Sequence, residues 1–317
     1  LGIFGIKNNK AELLISYHFK SNELKALHYA VNEVLEYAAK HYKLKISKAC
    51  FAVAGVLSSD KKHAAITNVK WNVSTKALLK NTNLKKIKLI NDFEAIGHGI
   101  PMLKKRDIKI IKKAKKIPKA PILIIGAGTG LGKTTLVYNE STKSYVAIPS
   151  EAGHSDFAAQ TELEISLVDF IKNHKKVQAV SYEQVLSGGG LVNIYLFLRD
   201  SCKLGKTKYT KEIDNDPMPE LIAKYRKIDK TCMKTFGIFK EIYAKFAKNF
   251  AIDALAYGGV YIAGGIAPKN MEIFDRKFVE IFGQNYKMDD ILRKMPVYLI
   301  LNTNVGLLGA GFRASSL

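Results

Sequence analysis

Gly126-Ala-Gly-Thr-Gly-Leu-Gly-Lys-Thr134 follows the apolar run Pro121-Ile-Leu-Ile-Ile125, and its reading decides the fold. Gly132-Lys133-Thr134 fits the end of a P-loop, but Ala127 stands where the first glycine belongs. A P-loop also runs into a helix whose N-terminus meets the phosphate, and so does a dinucleotide fingerprint. Here Thr134-Thr-Leu-Val-Tyr138 follows, which reads as strand. The remaining reading is a turn between two strands, with glycines that let backbone N–H groups approach a phosphate. An ordinary glycine-rich hairpin is the plainer alternative.

Residues to either side add hydrogen-bonding chemistry. Leu89-Ile-Asn-Asp-Phe-Glu94 places Asn91 and Asp92 just past a short apolar run, where ligands meet an open α/β sheet. Pro149-Ser-Glu-Ala-Gly-His154 supplies Glu151 and His154, and Ser181-Tyr-Glu-Gln-Val-Leu-Ser-Gly-Gly-Gly190 supplies Glu183. Carboxylates, amides and imidazoles are the groups that hold several sugar hydroxyls at fixed angles. Singly, each has another reading: Asp92 a helix cap, His154 a core histidine, Glu183 a surface charge.

Further out, strands and helices alternate, which argues for α/β layers. Residues 1–17 predict two strands joined by Lys7-Asn8-Asn9-Lys10, and 23–42 an amphipathic helix. Residues 49–55 and 86–90 read as buried parallel strands, and 134–148 as a hairpin around Asn139–Lys143. Residues 161–174 and 219–256 read as largely helical, with late strands at Val260–Ala263 and Val297–Leu301. The stretch 104–119 holds nine basic residues and one acid and reads as a bridge between domains, its lysines facing water or a polyanion. The expected division is a small α/β domain, 1–103 plus 304–317, and a large one, 104–303.

The 317 residues suit two domains, and 47% hydrophobic content allows sizeable cores. No apolar run approaches the ~20 residues needed to span a bilayer, so no membrane partner is expected. The apolar start reads as a strand, not a signal peptide, and the lack of an initiating Met predicts residues upstream. Cys50, Cys202 and Cys232 lack metal-ligand spacing and cannot all pair. They point to a reducing compartment, the cytoplasm or an organelle matrix such as the mitochondrial one. Fifty Lys+Arg against 28 Asp+Glu give a net charge of +22. An AT-rich genome would enrich acids along with lysines, so the deficit of acids points to RNA or another polyanion. Lys112, Lys113, Lys115 and Lys116 are the proposed contacts. A solvated, lysine-coated surface is the alternative.

Taken in order, Thr67-Asn68-x-x-Trp71, Ile90-Asn-Asp-Phe93, Gly126–Gly132, Glu151-Ala-Gly-His154, Glu183-Gln-Val-Leu-Ser-Gly188, Gly258–Ile266 and Val305-Gly-Leu-Leu-Gly309 resemble the bacterial-type glucokinases of the hexokinase/actin-like ATPase superfamily. The resemblance runs from about residue 46 to the C-terminus and is degraded before it. It implies a two-domain actin-like ATPase (ribonuclease H-like) α/β fold with a sugar cleft between the domains. Asp92 would be the general base toward the 6-hydroxyl of glucose, and Asn91, Glu151, His154 and Glu183 would bind the sugar. Gly128, Thr129 and Gly130 would meet the ATP phosphates, and Gly264 and Gly265 would lie against the adenosine.

The family opens with Gly-Asp-x-Gly-Gly-Thr-Asn, whose Asp positions Mg²⁺. Gly2-Ile3-Phe4-Gly5-Ile6-Lys7-Asn8 aligns with it, and residues 2–8 contain no acid. No residue is therefore assigned to a metal. The first expectation is a family member that keeps its sugar pocket, has impaired phosphotransfer and serves as a basic RNA- or polyanion-binding component of a nucleic-acid-rich assembly. The alternative is an active glucokinase using ATP and Mg²⁺. A third reading is a glucose-binding regulator. If the protein is repurposed it needs no cofactor.

Overall fold

The computed structural model describes residues 1–7, 10–66, 69–202 and 204–317. The chain forms two compact units, Leu1–Lys105 with Asn302–Leu317, and Arg106–Leu301. Asn8 and Asn9 of the expected first turn, and Thr67 and Asn68 of the first sequence block, lie outside the described residues.

The first unit carries short sheets and helices. Strands β1 (Gly2–Lys7) and β2 (Lys10–Ser16) pair antiparallel. Strand β3 (Lys48–Val53) is followed by β4 (Gly55–Leu57), β5 (His63–Ile66) and β6 (Val73–Ser74), which form a three-stranded antiparallel sheet. Strand β7 (Lys86–Asn91) pairs parallel with β3, Lys48 facing Lys86 and Val53 facing Asn91. Parallel pairing agrees with the sequence reading, but full burial does not. The ribbon has two strands, and only Phe51, Val53, Leu89 and Ile90 are buried. The first long helix is Leu27–Tyr42, later than the expected start because Ser21–Glu23 winds into a 3₁₀ turn. It buries Ala30, Val31, Val34 and Ala38, a stripe at helical spacing.

Helix Asp92–Gly99 starts where β7 ends, capped by Asn91, whose Oδ1 accepts from the N–H groups of Phe93 (2.8 Å) and Glu94 (3.4 Å). It packs on helix Val305–Ser315, with Gly309 against the Ala95 carbonyl. Glu94 is only 5% exposed. Its carboxylate accepts from Lys61 at 3.1 Å, and His98 Nε2 lies 3.9 Å away. Burial opposes ionisation of Glu94, but hydrogen bonds and charges from His98 and Lys61 outweigh it and hold the carboxyl below its ordinary value. A depressed carboxyl stabilises the fold fully above the unfolded value of about 4.3, and the contribution vanishes as pH falls through the lower folded value. Denaturant melts from pH 6 down to about pH 2 should therefore show a shallower acid loss for Glu94→Gln than for wild type, the curves converging at the acid end. Parallel curves would mean that Glu94 carries no proton-linked stability.

The second unit is built on one six-stranded sheet in the order β11-β10-β9-β12-β13-β8. Its strands are β8 (Ile108–Lys112), β9 (Ile122–Ala127), β10 (Leu131–Asn139), β11 (Ser144–Ser150), β12 (Val260–Ala263) and β13 (Val297–Ile300). Strands β9, β12 and β13 are parallel, and β8 and β10 run against their neighbours. Buried on every residue, β9 reads as the apolar run of a central strand. Residues 108–112 are thus an edge strand of this sheet and not a bridge. Ile108 and Ile111 are partly buried, and Ile111 packs on the core. Helix Lys230–Ala254 lies behind the sheet and buries Phe239, Tyr243 and Phe246. Among the described residues no helix is long and apolar enough to cross a membrane.

Candidate active site

The C-terminal end of β9 is the candidate ligand position. The chain leaves β9 for β10 on one side while β12 pairs on the other, and such a switch opens a crevice beyond the strand ends. Gly128, Thr129 and Gly130 form the turn between β9 and β10, which settles the glycine motif as a hairpin turn and not a P-loop. Lys133, the lysine of the rejected P-loop, pairs with Asp253 at 3.1 Å and lies over the Phe250 ring. It belongs to the scaffold.

Three contacts fix the turn. Gly128 N–H donates to the Gly130 carbonyl at 2.8 Å, and Gly188 N–H donates to the Gly128 carbonyl at 2.8 Å. Ala127 N–H donates at 3.2 Å to the Oη of Tyr243, a fully buried side chain of the helix behind. Gly264 and Gly265 follow β12, beside the turn, because Ala263 pairs with Gly126. Gly264 has φ +86, and a side chain there would strike the Ala127 carbonyl. A Cβ built on Gly128 meets nothing closer than Gly265 N at 3.8 Å, and one built on Gly265 meets nothing within 4 Å. The two glycine segments thus leave an open, backbone-lined cradle of the kind a phosphate or the body of a nucleotide requires.

Glu183 meets the same turn. Its Oε2 accepts from Leu131 N–H at 2.8 Å, so this half-buried carboxylate is not a loose surface charge. The 3₁₀ turn Ala152–His154 presses on β10 at Gly153, where any Cβ would lie 2.1 Å from the Leu131 carbonyl. Tyr182 N–H donates to the Ser155 carbonyl at 3.0 Å and ties this turn to the one carrying Glu183. Glu151 and His154 are exposed, which removes the core-histidine reading. The structure therefore gathers Glu151, His154, Glu183, Gly128, Thr129, Gly130, Gly264 and Gly265 at one end of one sheet in the second unit. Asn91 and Asp92 belong to the first unit, where both are half-buried. Asn91 is the helix cap, and Asp92 opens the first turn with its Oδ1 3.0 Å from Phe93 N.

Residues 2–7 carry no carboxylate, and Ile3 is buried beside Val34 and Ala38. Among the described residues no group of three or more His, Cys, Asp or Glu is placed to hold a metal.

Of the four lysines proposed for a polyanion, Lys113, Lys115 and Lys116 are exposed. The expectation that all face water or a polyanion is corrected at Lys112. Its ammonium turns inward to the carbonyls of Arg293 (2.6 Å) and Met295 (2.9 Å), left open at the end of helix Asp289–Arg293. Lys116 reaches Tyr261 Oη at 3.2 Å. Sequence reasoning missed Tyr243 and the clamp of Glu183 on Leu131. A tyrosine inside an amphipathic helix reads as core, and nothing local marks its hydroxyl as a support for residue 127.

The glucokinase family model matches residues 1–317. The glucokinase of Nostoc punctiforme is 40% identical over 285 residues, covering 85% of this chain and 82% of that protein. That of Yersinia enterocolitica is 34% identical over 281 residues, covering 88% and 82%. The crystal structure of a glucokinase from an Antarctic psychrotroph superposes with a TM-score of 0.82 at 25% identity, over 99% of this chain and 94% of that one. A Balamuthia mandrillaris glucokinase in complex with glucose gives 0.77 at 20% identity, over 94% and 85%. With the family model spanning its length and curated relatives above 30% identity, this chain belongs to the glucokinase family.

Proposed function

We propose that this protein transfers the γ-phosphoryl group of ATP to the 6-hydroxyl of glucose. The observation that carries the reading is the glycine turn of the second unit. A backbone cradle for phosphate and the carboxylate of Glu183 share one support, through Leu131 N–H. Phosphoryl transfer asks the protein mainly for positioning and charge stabilisation, and with the N–H groups of Gly128 and Leu131 already committed within the turn, those of Thr129 and Gly130 are the proposed phosphate donors. Glu151, His154, Glu183 and Asn91 are the proposed sugar ligands, and Asp92 is the proposed base that receives the hydroxyl proton. Gly128, Thr129 and Gly130 would hold the phosphates, and Gly264 and Gly265 the adenosine. Mg²⁺ would come bound to ATP, and no step is assigned to it. The glucose held by the Balamuthia mandrillaris relative supports the choice of sugar.

A coupled assay of ADP release with glucose, ATP and Mg²⁺ tests the proposal. A turnover on the order of ten per second is expected. Glucose binding without ADP release would overturn it. That result would favour a second reading, a sugar-binding family member with slow transfer, which rests on the acid-free residues 2–7 and the buried Ile3. The comparisons favour the ordinary glucokinase reading over a role as a polyanion-binding component, which keeps the +22 charge behind it. Glu151→Ala should weaken glucose binding by about 1–3 kcal/mol, the cost of removing a hydrogen-bonding partner from a bound hydroxyl. Calorimetry with unchanged affinity would remove Glu151 from the sugar site.

A further inference from the structure

A groove of about 900 Å³ opens on the second unit, lined by Lys112, Lys248, Gln160, Asn285 and Tyr286 among others. None of these residues belongs to the sugar or nucleotide segments described above. The acids at its rim are paired, with Arg293 shared between Asp289 and Asp290. Glu280 pairs with Arg276 at 2.8 Å, and Asp289 pairs with Arg293 at 2.7 Å. The two lysines are not. Among the described residues neither pairs with a carboxylate, and their recorded partners are backbone carbonyls. Lys248, only 8% exposed, donates to the Gln284 carbonyl at 3.0 Å. Lys112 donates to the carbonyls of Arg293 and Met295. An ammonium has three donors, so Lys248 keeps two and Lys112 keeps one. Burial holds both ammonium groups below their ordinary value, with Lys245 adding to the effect at Lys248. Charges left this way are costly unless an anion compensates them.

We propose that this groove binds a small organic phosphate, at a site separate from the sugar and nucleotide residues. Two uncompensated lysines match the charge of a phosphate monoester, about −1.5 to −2 at neutral pH. The amides of Gln160 and Asn285 add neutral donors for its oxygens. Tyr286, 92% exposed at the groove, offers a ring face to the organic part.

The test is calorimetric titration of the full chain with phenyl phosphate and, in parallel, inorganic phosphate at low salt. Binding of phenyl phosphate near the millimolar range is expected, with Lys112→Met/Lys248→Met weakening it at least tenfold. Lys113→Gln/Lys115→Gln, on the exposed lysines of the same stretch, should leave it unchanged. Tyr286→Ala should lower affinity for phenyl phosphate toward that for inorganic phosphate. Two results overturn the proposal: no heat with the wild type up to about 10 mM ligand, or equal binding by the wild type and the Lys112/Lys248 pair variant. If that pair variant fails to fold in a thermal melt, Tyr286→Ala and Asn285→Ala decide. Unchanged affinity for phenyl phosphate in both then rules the groove out.

Discussion

Asp92→Asn is expected to lower the rate of glucose phosphorylation about a thousandfold, the middle of the range for a lost general base. The melting temperature should barely move. Asparagine has nearly the volume of aspartate and keeps an acceptor oxygen for Phe93 N–H, which Asp92 Oδ1 meets at 3.0 Å. The side-chain cap of the helix is Asn91, which Asp92→Asn leaves in place. Removing that cap by Asn91→Ala should instead cost about 1 kcal/mol of stability. The pair of variants separates chemistry from scaffold: Asp92→Asn should keep stability and lose kcat, whereas Asn91→Ala should lose both stability and glucose affinity. Steady-state kinetics beside thermal melts read both. Asp92→Asn retaining more than a tenth of wild-type kcat would show that another group takes the proton.

What the sequence revealed was mostly local. The glycine turn, the hairpin after it and the strand that begins after Pro121 follow from period and turn chemistry in adjacent residues. The family resemblance and the structure agree on an α/β actin-like fold. Long-range support was not legible. The link from Ala127 N–H to Tyr243 spans 116 residues, and the one from Leu131 N–H to Glu183 spans 52. Lys112 was misread for a related reason. An edge strand as short as Ile108-Lys-Ile-Ile-Lys112 carries little period, and the charges around it suggest a solvated linker. Helix Val305–Ser315 escaped because its glycines are poor helix formers. Its packing against Ala95 is a tertiary gain that propensity does not record.

Ile3→Asp sets two lines of argument against each other. Alignment with the family loop expects an acid at this position to restore a metal-positioning group, with a gain on the order of a thousandfold in rate. The packing expects something else. Ile3 is 5% exposed and sits with Val34 and Ala38 under Ile15, Tyr17 and Phe19. An aspartate there forfeits roughly 2–3 kcal/mol of apolar burial. Its carboxyl also enters an apolar cluster, so burial favours its protonated form or drags water inward. The expected outcome is a loss of about 4 kcal/mol in unfolding free energy and no Mg²⁺-dependent gain in kcat. Adding Ile6→Gly and Lys7→Thr should not recover the loss, since Ile6 is exposed and lies outside the cluster. Urea melts and the ADP-release assay, run on the single and triple variants at low temperature, decide between the two. A stable Ile3→Asp protein with a tenfold or greater gain in rate would place residue 3 at the phosphates and return the first loop to the family's design. A destabilised protein with unchanged kinetics would leave Ile3 as a core residue and transfer to whatever Mg²⁺ the nucleotide itself brings.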